Sequence, residues 1–327
     1  MHAAYITFRR QIHSVSIQLG VRAELGRFNA DVQSFDSSGK LVALPISVNT
    51  KGLYPSLLLI KRLGDGHQVQ LSYSRRVNRP TPRELNPFLD VSDPVNYDAG
   101  NPRLLPEDIH SVEFTYTYTR PKVSLTSGAY FTRVNNVIKH IQTAPVNDVT
   151  FTIAQNLPRA ITTGLEFIGN LHPVKAWDFT VNVNLYQRIN DADSAYGIGA
   201  THGLSWNANI TNNFSLAQNL TLQLRADYKA ADVIIQDRYR PVYGIDAGAR
   251  YDFWHNKASL ALNGRDIFNI RRPSFLRESD ALLLNWQRIT YSARASLTFT
   301  YHFGKSNIGT KVRKRPEVQQ DTRIENG

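Results

Sequence analysis

The feature that most constrains this chain is a two-residue hydrophobic alternation that recurs from one end to the other. Val15, Ile17, Leu19, Val21, Ala23 and Leu25 alternate with Ser14, Ser16, Gln18, Gly20, Arg22 and Glu24. The same pattern returns at 112–118, 177–185, 204–210, 220–228 and 293–303, where Ala293, Ala295, Leu297, Phe299, Tyr301 and Phe303 oppose Arg294, Ser296, Thr298, Thr300 and His302. Successive side chains of a strand point to opposite faces, so this pattern predicts strands with one apolar and one polar face. No stretch carries the 3.6-residue period of a useful amphipathic helix.

The pattern predicts thirteen strands: 3–10, 13–27, 53–63, 67–77, 109–120, 122–140, 150–171, 176–188, 202–213, 219–230, 242–253, 257–265 and 287–303. Many exceed the five or six residues usual in soluble sheets and suit the roughly 9–11 tilted residues that cross a bilayer. The connections alternate strictly between short and long. Short ones fall near 11–12, 64–66, 121, 172–175, 214–218 and 254–256; long ones occupy 28–52, 78–108, 141–149, 189–201, 231–241 and 266–286. In an up-and-down sheet alternate connections lie at opposite ends, so all tight turns share one end and all long loops the other, as in bacterial transmembrane barrels. Tyr5, Tyr54, Tyr73, Trp177, Phe179, Phe253, Trp254, Tyr301 and Phe303 cluster near predicted strand ends, where interfacial girdles belong. A soluble sandwich alternates too, with its apolar face against a second sheet. Strand length and one-sided loop asymmetry favour the membrane barrel.

Composition narrows the alternatives. The chain has 327 residues, 42% of them apolar, and no window approaches the roughly 18 apolar residues of a membrane helix, so a helical membrane protein is excluded. Without cysteine there is no disulfide framework and no thiolate metal site. The net charge of +11 invites a nucleic-acid reading, but six of the 38 basic residues sit in the tail, acids are mixed among the rest, and no recognition motif is present. The opening MHAAYITFRR lacks the charged and apolar regions of a secretory signal, so either the protein is not exported or this chain is part of a longer one.

The least regular stretch runs from Leu71 to Asp108. It starts as a strand and becomes a polar loop holding six of the fifteen prolines, from which neither helix nor central strand is expected between Arg79 and Pro106. Its pieces SYSRRVNRP (72–80), LNPF (85–88) and GNPRLLPE (100–107), with NGRDIFNIRRP (263–273) and the closing LTFTYHFGK (297–305), closely resemble the barrel of TonB-dependent outer-membrane receptors, in the outer-membrane β-barrel family common in Bacteroidetes. The resemblance extends over nearly the whole chain.

That resemblance implies an all-β, antiparallel up-and-down transmembrane β-barrel wall: residues 1–304 as part of a barrel, 305–327 as a basic, disordered tail. It implies partners too: outer-membrane lipid and lipopolysaccharide, a plug domain and the TonB complex (neither encoded here), and a nutrient ligand. Receptors of this kind have about 22 strands, and bacterial single-chain barrels are even-numbered. Thirteen is odd, so the chain reads as the C-terminal part of a larger barrel, with about nine strands and the plug lying before it. If Phe303 ends the last strand on the periplasmic side, every long loop faces the medium.

Nothing in the sequence points to catalysis or a cofactor. The nine histidines are dispersed, no Gly-x-Ser-x-Gly elbow or phosphate loop occurs, and Asp191 with Asp193 lacks the remaining ligands of a calcium loop. Lumen-side Arg22, Glu24, Glu113, Arg225, Asp227, Arg250 and Arg294 either meet a plug or substrate, or pair within the wall. In the loops, Arg83, Asn86, Phe88, Tyr97, Arg271, Arg272 and Trp286 are the candidate ligand contacts, with packing between loops as the competing reading. Uptake receptor, passive channel and adhesive surface barrel all stay open.

Overall fold

The computed structural model describes residues 2–35, 40–143, 145–194, 197–279, 282–289 and 291–303. The strands are β1 (His2–Ile12), β2 (Val15–Phe35), β3 (Leu41–Gly64), β4 (His67–Asn78), β5 (Asn96–Ala99), β6 (Glu107–Arg120), β7 (Val123–Gln142), β8 (Thr150–Val174), β9 (Trp177–Asn190), β10 (Thr201–Ala217) and β11 (Leu220–Lys229). They continue with β12 (Asp232–Ile234), β13 (Asp237–Tyr239), β14 (Val242–Phe253), β15 (Ala258–Arg265), β16 (Ser274–Ser279), β17 (Leu282–Gln287) and β18 (Arg294–Tyr301), and one short helix, α1 (Pro82–Leu85), precedes β5. Thirteen strands form a single antiparallel meander, β1-β2-β3-β4-β6-β7-β8-β9-β10-β11-β14-β15-β18. Among the described residues β1 pairs only with β2 and β18 only with β15, so the meander is a wall with two open edges. Among the described residues no helix is long and apolar enough to cross a membrane, which says nothing of strands.

The alternation sorts the two faces as expected. Direct cross-strand partners share a face, and one unbroken row of partners runs Ile17, Leu59, Leu71, Phe114, Ala129, Leu165, Leu185, Trp206 across eight strands. The row is open to its surroundings: Leu165 is 57% exposed, Phe114 47% and Trp206 41%. Water-soluble proteins rarely leave so continuous an apolar face uncovered, so the solvent of this face is lipid. The opposite face carries the row Ser72, Glu113, Tyr130, Gly164, Tyr186, Ser205, polar at most positions and turned toward the concave side.

Aromatic rings mark the two limits of the apolar band. At the turn end Trp177 stacks on Phe214, Phe253 meets Trp254, and Trp254 meets Tyr301 edge-on, with centroids 5.0–6.0 Å apart. At the loop end Trp206 stacks on Tyr228 at 4.7 Å and Tyr228 on Tyr243 at 6.3 Å. Tyr243 and Tyr251 stand on the same face of β14. Their spacing is about 27 Å along the strand, or about 20 Å along the bilayer normal at the usual tilt, close to the height of an outer-membrane apolar band.

Four expected loops proved to be structured. Residues 28–52 are mostly ladder: the β2–β3 pairing continues from Phe28↔Val48 to Phe35↔Leu41. Above the band neither face meets lipid, so the alternation fades while the backbone ladder persists. Residues 231–241 and 266–286 contribute β12, β13, β16 and β17 to a second, four-stranded sheet at the loop end. The proline-rich loop contains α1, against expectation. Thr81 caps it, accepting from the Glu84 backbone N–H while the Glu84 carboxylate accepts from the Thr81 N–H, and proline occupies the first turn where no donor is needed. The last strand begins at Arg294, because Gln287 belongs to β17. The tail 305–327 lies outside the described residues.

Candidate functional site

The concave face of β7–β11 forms a recess of about 720 Å³ at the level where the second sheet folds over the wall. Its floor is a run of amides: Asn182 faces Asn209 and Asn184 faces Asn207 across β9 and β10. The Tyr130 hydroxyl donates to Asn184 Oδ1 at 3.1 Å. The Tyr130 ring lies over Gly164, where an added Cβ would fall 2.5 Å from the phenol carbon, so glycine is what lets the ring lie flat on the wall.

The roof attaches through a few polar residues. Asp232, at the start of β12, is fully buried. One of its carboxylate oxygens accepts from the Tyr186 hydroxyl at 2.8 Å and from Arg188 at 3.0 Å. Gln236 and Gln142 exchange bonds of 3.1 and 3.2 Å, and Arg277 bridges Gln142 (2.6 Å) and Asp237 (2.6 and 2.9 Å). Ile235 packs against a buried cluster of Val137, Ile141, Leu157 and Ile198. Lys229 stands 5.8 Å from the Tyr239 ring centre.

The proline-rich loop is an ordered body. Leu85 and Leu104 bury themselves with Ile46 and Ala154, and β5 adds a parallel strand beside β8. The Gly100 N–H donates to Asn86 O at 2.8 Å and the Asn101 N–H to Glu84 O at 2.6 Å. An added Cβ on Gly100 would come within 2.4–2.7 Å of three carbonyl oxygens, so that position admits no side chain. Asp90 and Asp93 each accept from a backbone N–H two residues on, at 3.0 Å. Hydrogen bonds from Ser92 to Asp90 and from Asn96 and Val95 to Asp93 hold both carboxyls below the ordinary carboxylate range.

The segment NGRDIFNIRRP is organised by Asp266, which is fully buried. Its carboxylate accepts from the N–H of Ile270 (3.0 Å) and Arg271 (3.1 Å) and from the Ser292 hydroxyl, tying together both ends of the last long connection. Arg271 then turns into the lumen, pairs with Asp227 and lies 3.6 Å from Asp246.

The seven candidate ligand contacts therefore fall in three places. Arg83, Asn86, Phe88 and Tyr97 lie in the proline-rich body. There Arg83 is exposed, the Asn86 side chain accepts from the Phe88 N–H at 3.1 Å, and Tyr97 meets Phe151 edge-on at 5.5 Å. Arg271 lines the recess, and Arg272 beside it is exposed. Trp286 is on β17, stacked on Phe275 at 5.1 Å. Of these, Arg271 alone lines the recess. Four of the seven lumen-side charges are in ion pairs: Arg22 with Glu24, Asp227 with Arg271 of the last long connection, and Arg250 with Asp252. Asp191 is held by Arg159 at 2.9 Å, and no group of metal-ligating residues occurs among the described residues. The amide floor and Asp232 were not singled out from sequence; Asn182, Asn184, Asn207 and Asn209 at alternate positions of neighbouring strands were the available signal.

Comparison with known proteins agrees with this geometry. The outer membrane protein beta-barrel family matches residues 1–301, and the chain belongs to that family. It is therefore a multi-strand barrel protein of the outer membrane. Among solved structures it is similar to the ferric yersiniabactin uptake receptor FyuA of Yersinia pestis, with a TM-score of 0.65 at 14% identity over 91% of this chain and 44% of that one. It is equally similar to the ferric-catecholate import receptor Fiu of E. coli, with a TM-score of 0.65 at 12% identity over 92% and 44%. The ferric enterobactin receptor PfeA of Pseudomonas aeruginosa aligns at 0.60 with 13% identity over 91% and 44%. These likenesses are of fold, and the chain spans less than half the length of those receptors. No curated protein sequence matches it.

Proposed function

We propose that this chain is wall and loops of an outer-membrane receptor that imports a scarce nutrient, working with a plug domain and the TonB complex. The observation that carries this reading is the polar recess at the loop end, inside a lipid-facing wall of the fold seen in siderophore uptake receptors. Loops facing the medium bind the ligand, the plug blocks the lumen, and TonB moves it aside. In this reading exposed Arg83 and Arg272 are first contacts at the mouth, and the chemistry is transport rather than catalysis.

Uptake by cells producing the intact protein tests it. Accumulation of the nutrient should stop when TonB is deleted or the proton-motive force is collapsed. Flux that persists without TonB would instead make the protein a passive channel. Cell adhesion without any uptake would make it a structural barrel.

A further inference from the structure

The cations of the recess outnumber what holds them. Arg188 is bound by Asp232, the roof's buried carboxylate. Lys139 and Lys229 line the same recess as Arg188; Arg188 opposes the charge of both, and Asp232 attracts Lys229 through space. Among the described residues neither lysine has a carboxylate within ion-pair distance, so three cations share one paired carboxylate. The other acids do not redress this. Asp227 is committed to Arg271, and Glu166 lies deeper toward the turn end, opposite Asn184 in the ladder. Glu107 and Asp237 reach Lys139 only through space; Glu107 is bonded to Asn78 and Asp237 to Arg277. Like charges gathered in a partly dehydrated recess repel, and an incoming anion relieves that repulsion. Below them the floor offers amide groups that can both donate to and accept from hydroxyls.

We propose that the recess between β7, β9, β11 and the roof strands binds a small hydroxylated anion, its carboxylate or phosphate on Lys139, Arg188 and Lys229 and its hydroxyls on the Asn182–Asn209 floor. This rests on the receptor reading and names the class of solute such a receptor would take. The recess, at about 720 Å³, has room for a ligand of several hundred daltons.

Calorimetry on the full chain in detergent, with citrate, glucose 6-phosphate and glucose as probes, tests the assignment. Citrate or glucose 6-phosphate should bind, glucose at least tenfold more weakly, and binding should weaken as salt is raised. Lys139→Gln and Lys229→Gln should each weaken anion binding by tenfold or more, Lys139→Arg should restore most of it, and Arg62→Gln at the turn end should change nothing. Strand circular dichroism and heat-modifiable migration establish that each variant is folded. Failure of both anions to bind the folded protein, equal binding of glucose, or indifference to both lysine substitutions would overturn the proposal. TonB-driven uptake surviving such a failure would leave the receptor reading standing with a different solute. Anion binding without TonB-driven uptake would sink the receptor reading and keep the site.

Discussion

The lipid-facing band and the loop end of this wall are built on different principles. In the band no single residue decides much: Ile17, Leu59, Leu71, Phe114, Leu165 and Leu185 repeat one instruction strand after strand. At the loop end the opposite holds. Individual polar side chains (Asp266, Asp232, Thr81, Glu24) each fix a segment that no periodic pattern specifies. The wall tolerates error because its information is redundant, whereas the mouth of the lumen depends on specific hydrogen bonds whose loss leaves buried partners unsatisfied.

The largest test of that contrast is to move a charge between the faces. Leu224→Arg, on the apolar face of β11 between the turn-end level of Phe214 and the loop-end Tyr228, should cost roughly 2–4 kcal/mol of assembly, while Gln223→Arg on the opposite face should cost little. Denaturant titration of both variants in lipid vesicles measures it, and equal losses would remove the facing assignment.

Next in size is Asp266→Ala. It strips acceptors from the Ile270 and Arg271 N–H groups and from Ser292, for an expected cost of about 2–3 kcal/mol. The effect should be local: limited proteolysis should open 266–293 while the strands resist. Cleavage throughout the wall would mean that the loop end and the band are one cooperative unit.

Smaller still, Thr81→Ala should cost about 1 kcal/mol by removing the cap of α1. Hydrogen exchange at Glu84 and Leu85 should quicken, with no change in the β6–β7 ladder. Unchanged exchange would show that burial of Leu85 alone holds the turn.

The mildest perturbation is pH. The Asp90 and Asp93 carboxyls are lowered in the folded chain, so each favours the folded loop above the ordinary value of 3.8 and loses that effect as pH falls through its lowered value. Amides of Ser92, Val95 and Asn96 should therefore lose protection in acid while those of the band keep theirs. Loss in both regions at the same pH would erase the distinction.

These differences explain what could be read before the fold was seen. The motifs carrying the family resemblance are largely structural. In SYSRRVNRP, Arg75 holds Asp108 and Arg79 reaches Glu24; between LNPF and GNPRLLPE, the Asn86 carbonyl receives Gly100, and the carbonyl of Glu84, just before LNPF, receives Asn101; in NGRDIFNIRRP, Asp266 closes its loop. The loop arginines and aromatics left ligand contact and packing between loops as open alternatives, because a charged loop residue reads the same whether it meets a ligand or a neighbouring strand. The amide floor escaped notice for a related reason: each asparagine is unremarkable in its own strand, and only register places Asn182 against Asn209.

The sequence by itself determined the thirteen-strand meander and which face meets lipid. Each of these is written locally, in side-chain polarity at period two, and repeated many times. The tertiary structure alone decided that residues 28–52 continue a hairpin, that two distant connections pair into a second sheet, and that Lys139, Arg188 and Lys229 line one recess. Those outcomes depend on pairing between segments far apart in the chain, held by buried hydrogen bonds whose partners no local pattern can name.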